Sequence, residues 1–164
     1  MQRNRKPTRH PSYDYSDTGY YFLTINAKEK GNVFGAVDNG SMTLNELGTI
    51  AKMNWLSIPQ HFLFVELDEF IIMPDHVHGI IILKDTVGNA YMRSANYDRT
   101  KMRLSKIIQQ YKASVTREIR KKYEIKFQWQ KSFYDHIIRK EKSLYYIRKY
   151  IQQNPIRSMM QTIL

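Results

Sequence analysis

Residues 65–84 read VELDEFIIMPDHVHGIIILK, two apolar, β-branched runs broken once, at Pro74-Asp75. Each run has strand length and the break is a turn signal, so the segment predicts a hairpin-like pair of strands over 65–73 and 76–84. The second run constrains more than the fold. His76 and His78 are separated by one apolar residue. Side chains of an extended chain alternate between faces, so both imidazoles project to one side while Val77 packs on the other. A pair presented in this way is either two half-exposed strand histidines or two ligands aimed at one point.

The segments around this hairpin follow the same logic. YYFLTINA (20–27) is aromatic and β-branched and predicts a strand, and GNVFGAVDNGSMTL predicts a hairpin turning at Asn39-Gly40. A helix is expected from about Asn45 to His61, with Leu47, Ile50, Ala51, Trp55 and Ile58 at helical spacing and Pro59 near its end. Residues 85–100 have no regular period and predict a mobile loop. A long helix follows from about Lys101 to Tyr123. It buries Leu104, Ile107, Ile108, Tyr111, Val115 and Ile119, and its other face is rich in Lys and Arg, among them Lys112 and Arg117. IKFQWQKSFYDHIIRK predicts one or two short strands. A last helix from about Glu141 to Gln153 buries Leu144, Ile147 and Ile151 and stops before Pro155. Strands and helices in this order predict one α+β domain spanning residues 1–164, an antiparallel sheet with helices packed on it.

Charge narrows the partner class. Twenty-six Lys and Arg against 15 Asp and Glu leave a net charge of +11, which suits a polyanionic partner, nucleic acid or an anionic membrane surface. Residues 1–12 form a basic arm carrying Arg3, Arg5, Lys6 and Arg9; it is a solvated tail or an extended strap for a phosphate backbone. No apolar segment follows these cations and no apolar run is long enough to span a bilayer, so a cytoplasmic protein without a membrane partner is expected. The absence of cysteine excludes disulfides and thiolate metal sites, leaving His, carboxylate, amide or water ligands.

On the last helix Tyr146, Tyr150 and Asn154 stand four residues apart and share one face. A helical tyrosine is ordinarily a packing residue, but a phenol can also act as an oxygen nucleophile and an amide oxygen is a hard metal ligand. With His76 and His78 they would make a three-ligand site with open positions and a nucleophile alongside. An unperturbed phenol ionises near pH ~10, so such a nucleophile needs a metal, a cation or a base to activate it. Lys112 is a candidate cation. His136 in FYDHIIR is a structural histidine or a residue at the site's edge. Asp75 is a turn aspartate or an orienting partner of an imidazole.

The strings VELDEFIIMPDHVHGIIIL and KYIQQNP, with YDYSDTGYYFLTI, LNELGTIA, KASVTR and FYDHIIRKEKSLYYIR, resemble the single-tyrosine HUH transposases. They resemble more closely the relatives that act on repetitive extragenic palindromes, the REP-associated tyrosine transposases. The resemblance covers most of the chain. It implies a ferredoxin-like fold, His76 and His78 as ligands of Mg²⁺ or Mn²⁺, Asn154 as third ligand, and Tyr150 as nucleophile. It implies cleavage and strand transfer of single-stranded DNA at hairpins of palindromic repeats through a 5′-phosphotyrosine. A catalytically inactive hairpin binder and a single-strand nuclease without a covalent intermediate are the alternatives. Tyr146 with Tyr150 also spells the Y-x-x-x-Y of two-tyrosine initiators and relaxases; Tyr146 is read as helix packing or base stacking. The basic arm and basic helix would hold phosphates, and Tyr13, Tyr15 or Tyr91 would stack on unpaired bases. Some members resemble dimers that exchange the tyrosine helix and others monomers, so monomer or homodimer stays open.

Overall fold

The computed structural model describes residues 18–84 and 102–162, with side chains for 18–84 and 103–158. The basic arm with Arg3, Arg5, Lys6 and Arg9, the tyrosines Tyr13, Tyr15 and Tyr91, and the expected loop 85–100 lie outside the described residues. The chain runs β1 (Gly19–Asn26), β2 (Gly35–Asp38), β3 (Ser41–Leu44), α1 (Glu46–Leu56), α2 (Ile58–His61), β4 (Val65–Ile72), β5 (His76–Leu83), α3 (Met102–Tyr123), β6 (Tyr134–Ile138) and α4 (Glu141–Thr162).

Four of the strands form an antiparallel sheet in the order β4-β5-β1-β6. With the small β2–β3 hairpin set aside as an insertion after β1, the connectivity is β-α-β-β-α-β, the ferredoxin-like plan expected. The hairpin turns at Asn39 (φ 48) and Gly40 (φ 74). Both positive angles belong to a type I′ turn, for which Asn-Gly is the best dipeptide.

The two faces of the sheet do different work. Tyr21, Leu23 and Ile25 of β1 point to one face and are fully buried with Val77 and Ile81 under Trp55 of α1 and Ile107, Tyr111 and Val115 of α3. Tyr20, Phe22 and Thr24 point to the other. There Phe22 and Tyr20 pack with Ile80, Ile138 and the apolar side of α4, Leu144, Ile147 and Ile151. The predicted stripes of α3 and α4 are therefore the buried ones. Among the described residues no helix is long and apolar enough to cross a membrane.

Two helix limits differ from expectation. The helix predicted over 45–61 is two helices, because α1 ends at Leu56 and Pro59 lies in the first turn of α2. A proline there loses no helical hydrogen bond, so it opens a helix and does not close one. Asn45 caps α1 as its side chain accepts from Gly48 N at 2.9 Å. At the other end, α4 runs through Pro155 to Thr162 instead of stopping before it. The lost backbone donor is offset by tertiary packing: Pro155 is buried, and this part of α4 rests on the β2–β3 hairpin.

Candidate metal and tyrosine site

The histidine pair opens β5, where His76 faces Asn26 and His78 faces Thr24 across the β1 ladder. Alternation puts both imidazoles on the α4 side of the sheet, as the H-x-H spacing predicts. Their Nε2 atoms converge to 3.1 Å. Each outer nitrogen has its own partner: His76 Nδ1 donates to Asp75 Oδ1 at 2.7 Å, and His78 Nδ1 lies 2.9 Å from Thr24 Oγ1. An outer nitrogen that carries the proton leaves the Nε2 lone pair for a ligand, which is how metal-binding histidines are oriented. Lys30 holds the other Asp75 oxygen at 3.1 Å.

Electrostatics keeps this pair receptive. His78 is 6% exposed, and burial, with the charge of His76 beside it, pushes its pKa down to about 3. It is neutral at physiological pH and so can bind a cation. Burial alone would raise the Asp75 pKa, but hydrogen bonds from His76 and Lys30 prevail and hold it below the usual carboxylate value. Asp75 is therefore a full negative charge behind the first imidazole.

Tyr150 comes to this pair from α4 in the same chain. Its ring centroid lies 5.4 Å from that of His78 at 64°, and 6.1 Å from that of Phe22, which itself stacks on His78 at 5.4 Å. The Arg157 guanidinium carbon is 5.6 Å from the centre of the Tyr150 ring, within cation–π range. Two contacts pin the helix on either side of Tyr150. Arg148 donates to both Asp68 oxygens, from Nε at 2.9 and 3.2 Å and from Nη2 at 2.5 Å, and Gln152 Nε2 donates to Glu69 Oε1 at 3.0 Å. Asp68 and Glu69 sit where the β4–β5 register shifts between Leu67 and Phe70, a bulge of the kind that re-aims side chains beside sites.

The donor set fits a divalent ion. Two nitrogens about 2.1 Å from one ion stand ~3 Å apart when they meet at a right angle, close to the separation of the Nε2 atoms. Among the described residues no group of three or more His, Asp or Glu side chains gathers at one point, so within them a third protein donor would be of another type, such as an amide. Asn154, one turn beyond Tyr150 on α4, is 7% exposed and carries such a donor.

The remaining predicted residues are placed as follows. His136 pairs with Phe22 on β6 and so projects to the same face as the imidazoles, exposed at its margin. Tyr146 is 57% exposed, with its ring 5.5 Å from that of Tyr145, and lies outside the apolar core. Lys112 Nζ donates to the carbonyls of Gln130 and Ser132 at 2.8 and 3.0 Å, and Arg117 is exposed on α3. Phe22, Thr24, Arg148 and Arg157 were not anticipated. The alternation of YYFLTINA puts Phe22 and Thr24 on one face, a readable signal; that this face meets the imidazoles depends on register.

No protein-family profile matches the chain. A Haemophilus influenzae protein described only as uncharacterized is 41% identical over 160 residues, covering 93% of this chain and 89% of its own. A second protein of that organism, provisionally named a REP-associated tyrosine transposase, is 29% identical over 146 residues, covering 88% and 74%. Among solved structures, a REP-associated tyrosine transposase bound to a REP hairpin superposes with a TM-score of 0.63 at 18% identity, covering 96% of this chain and 74% of that one. A provisionally named transposase from Deinococcus radiodurans gives 0.51 at 17% identity, covering 93% and 96%. The ferredoxin-like fold is thus shared with both.

Proposed function

We propose that the chain is a REP-associated tyrosine transposase, as its 29% identical relative and the shared fold support, and that it cuts and rejoins single-stranded DNA beside a hairpin of palindromic repeats. At the level its relatives support it is a transposase-like enzyme; the nucleophile, the metal and the hairpin belong to the proposal. The observation that carries them is the approach of Tyr150 to His78 within one chain. The hairpin bound in a structure of the same fold and the net charge of +11 support the substrate class.

In this reading the Tyr150 oxygen attacks the scissile phosphorus in line and loses its proton to a base. The P–O3′ bond breaks, the departing 3′ oxygen takes up a proton, and the 5′ phosphate stays on the tyrosine as a phosphodiester. Rejoining reverses the step: the 3′-hydroxyl of an incoming strand attacks the phosphotyrosine and the phenol leaves. One phosphodiester is exchanged for another, so no nucleotide fuel is consumed, and the sequence has no G-x-x-x-x-G-K-[ST] loop. His76 and His78, with Asn154 as third ligand, would hold Mg²⁺ or Mn²⁺, which when bound supplies Lewis-acid charge to the scissile phosphate. Asp75 and Thr24 orient the imidazoles, Arg157 brings positive charge to the phenol's side, and the Arg148–Asp68 contact holds the helix in register with the sheet.

The test is incubation with labelled single-stranded hairpin oligonucleotides from the flanks of the protein's own gene. An SDS-stable protein–DNA adduct is expected with Mg²⁺ and is lost in Tyr150→Phe. Hairpin binding without adduct in the unsubstituted protein would make it an inactive binder; cut strands without adduct would make it a nuclease.

A further inference from the structure

At the outer edge of β4, the last strand on that side of the sheet, a cleft of about 560 Å³ is bounded by α1, α4 and the β2–β3 hairpin. Met42 and Leu44 of the hairpin, Leu56 of α1 and Phe70 of β4 give it apolar walls, and Gln152 of α4 supplies an amide. Among the described residues its lining holds one charged side chain, the cation Lys52, and no carboxylate. Mostly apolar walls with a few polar groups, at a volume between about 300 and 1,000 Å³, are what small ligands occupy.

The strand edge adds main-chain groups. Met73 N donates to His76 O at 2.7 Å, and the register then pairs Ile71 with His78 and Phe70 with Gly79. Hydrogen bonding alternates along an antiparallel pair, so Ile71 and Met73 bond to β5 while Phe70 and Ile72, both in the lining, turn their N–H and C=O away from it. Gln152 is set by Glu69. A carboxylate only accepts, so the Nε2 that donates to Glu69 Oε1 at 3.0 Å leaves Oε1 of Gln152 as the acceptor it offers. Donors and acceptors side by side on a strand match the edge of a nucleobase, and apolar walls match its faces.

The cleft adjoins the histidine and tyrosine site. Ile71, in its wall, is the cross-strand partner of His78, one strand spacing of ~4.8 Å away, and packs in the cluster that includes Tyr150. Gln152 and Pro155 come from the turns of α4 that carry Tyr150 and Asn154. A strand whose phosphate lies at the histidines therefore has its neighbouring nucleotide within reach of the cleft, which is what selects a nucleobase over other ligands of that size.

We infer that the cleft is a base-reading site, which takes one unpaired nucleobase of the strand beside the scissile phosphate, holds it against the apolar walls and bonds its edge to the Phe70 and Ile72 main chain and to Gln152. The inference rests on the strand-transfer reading for its substrate. Phosphate contacts position a strand and base contacts choose its sequence, so the cleft gives the cut its sequence preference.

The test is hairpin binding in EDTA, followed by fluorescence anisotropy, with abasic sites placed one at a time along the unpaired flank. In the unsubstituted protein one position is expected to weaken binding about 10-fold, the scale of a single base contact. Leu56→Trp and Met42→Trp, which fill the cleft from α1 and from the hairpin, are each expected to lose about as much on the intact hairpin and to lose nothing further from that abasic site. Their slope of log affinity against log salt should match that of the unsubstituted protein, since no phosphate contact is removed, and an unchanged thermal midpoint controls for folding. No sensitive position, or losses from substitution and abasic site that multiply in both variants, would overturn the proposal. Adduct formation with Mg²⁺ is scored separately: coupled losses without an adduct remove the strand-transfer reading and leave the base site standing, and an adduct without coupling does the reverse.

Discussion

The ring of Tyr150 lies 5.4 Å from that of His78 within a single chain, so the proposed nucleophile and the proposed metal ligands come from one subunit. Complementation is therefore expected to fail. Equal amounts of Tyr150→Phe and His78→Ala, mixed under conditions that allow subunit exchange, should form no adduct above either variant alone. Exchange of α4 in a dimer would instead restore about a quarter of the wild-type sites, one competent site in half of the randomly paired dimers. Adduct recovery at that level would refute assembly within one chain.

Arg148 and Asp68 are expected to act on Tyr150 by holding its helix. Burial raises the Asp68 pKa, but the hydrogen bonds from Arg148 and from the Glu69 backbone N–H, with the charge of Arg148, together outweigh it and the net shift is downward, so the pair is ionised at neutral pH. Arg148→Ala should lower stability by about 1–2 kcal/mol, the lower part of the range for charged hydrogen bonds because Arg148 is partly exposed. It should slow adduct formation at saturating DNA at least ~10-fold, since misplacement of about 1 Å at a reacting group is enough for such losses. Asp68→Asn should do the same, and the double variant should be no slower than either single one. Additive rate losses would show that the two side chains act separately.

Local pattern rules read some parts of this arrangement and missed others for a physical reason. Alternation along 76–78 put both imidazoles on one face, and Asn39-Gly40 chose its own turn, because each depends on a few adjacent residues. Helical spacing likewise identified the buried stripe of α3. What failed depends on distant chain. Pro155 stays inside α4 because the β2–β3 hairpin lies against it, and no feature of YIQQNPIRS reports that contact. Arg148 meets Asp68 across 80 positions only because α4 packs along the face of β4 to which Asp68 points. Phe22 and Thr24 meet His78 because β1 pairs with β5 in one register and not the next.

Acid should destabilise the protein through His78. Its pKa is about 3 in the folded chain and near the ordinary ~6.5 when unfolded, so between these values the unfolded chain binds the extra proton. Stability is then complete above pH ~6.5 and declines as pH falls toward 3, by a few kcal/mol at most. Asp68 and Asp75, with lowered pKa values, contribute stability that is present above the ordinary carboxylate pKa of 3.8 and is lost only below it. Urea midpoints in EDTA between pH 7 and 4.5 should fall for the unsubstituted protein and stay nearly flat for His78→Gln. Parallel curves for the two proteins would exclude His78 as the source.

Gly79 separates the second histidine from the core, and its missing side chain is required. A Cβ at this position would stand 2.3 Å from Cζ2 of Trp55, whose fully buried ring packs against Tyr111 at 5.3 Å and Phe70 at 6.0 Å. With the indole hemmed in, the strand has to move, and overpacking of this kind costs about 1–3 kcal/mol. Gly79→Ala should therefore lower the unfolding free energy by that amount, read from urea titration. The displacement falls on β5 next to His78, so divalent-ion affinity, followed by calorimetry with Mn²⁺, should weaken as well. Relief comes from making room: Trp55→Phe should restore part of the lost stability in the Gly79→Ala background while destabilising the parent chain. If Trp55→Phe lowers stability equally in both backgrounds, the clash with the indole is not what excludes a side chain at position 79.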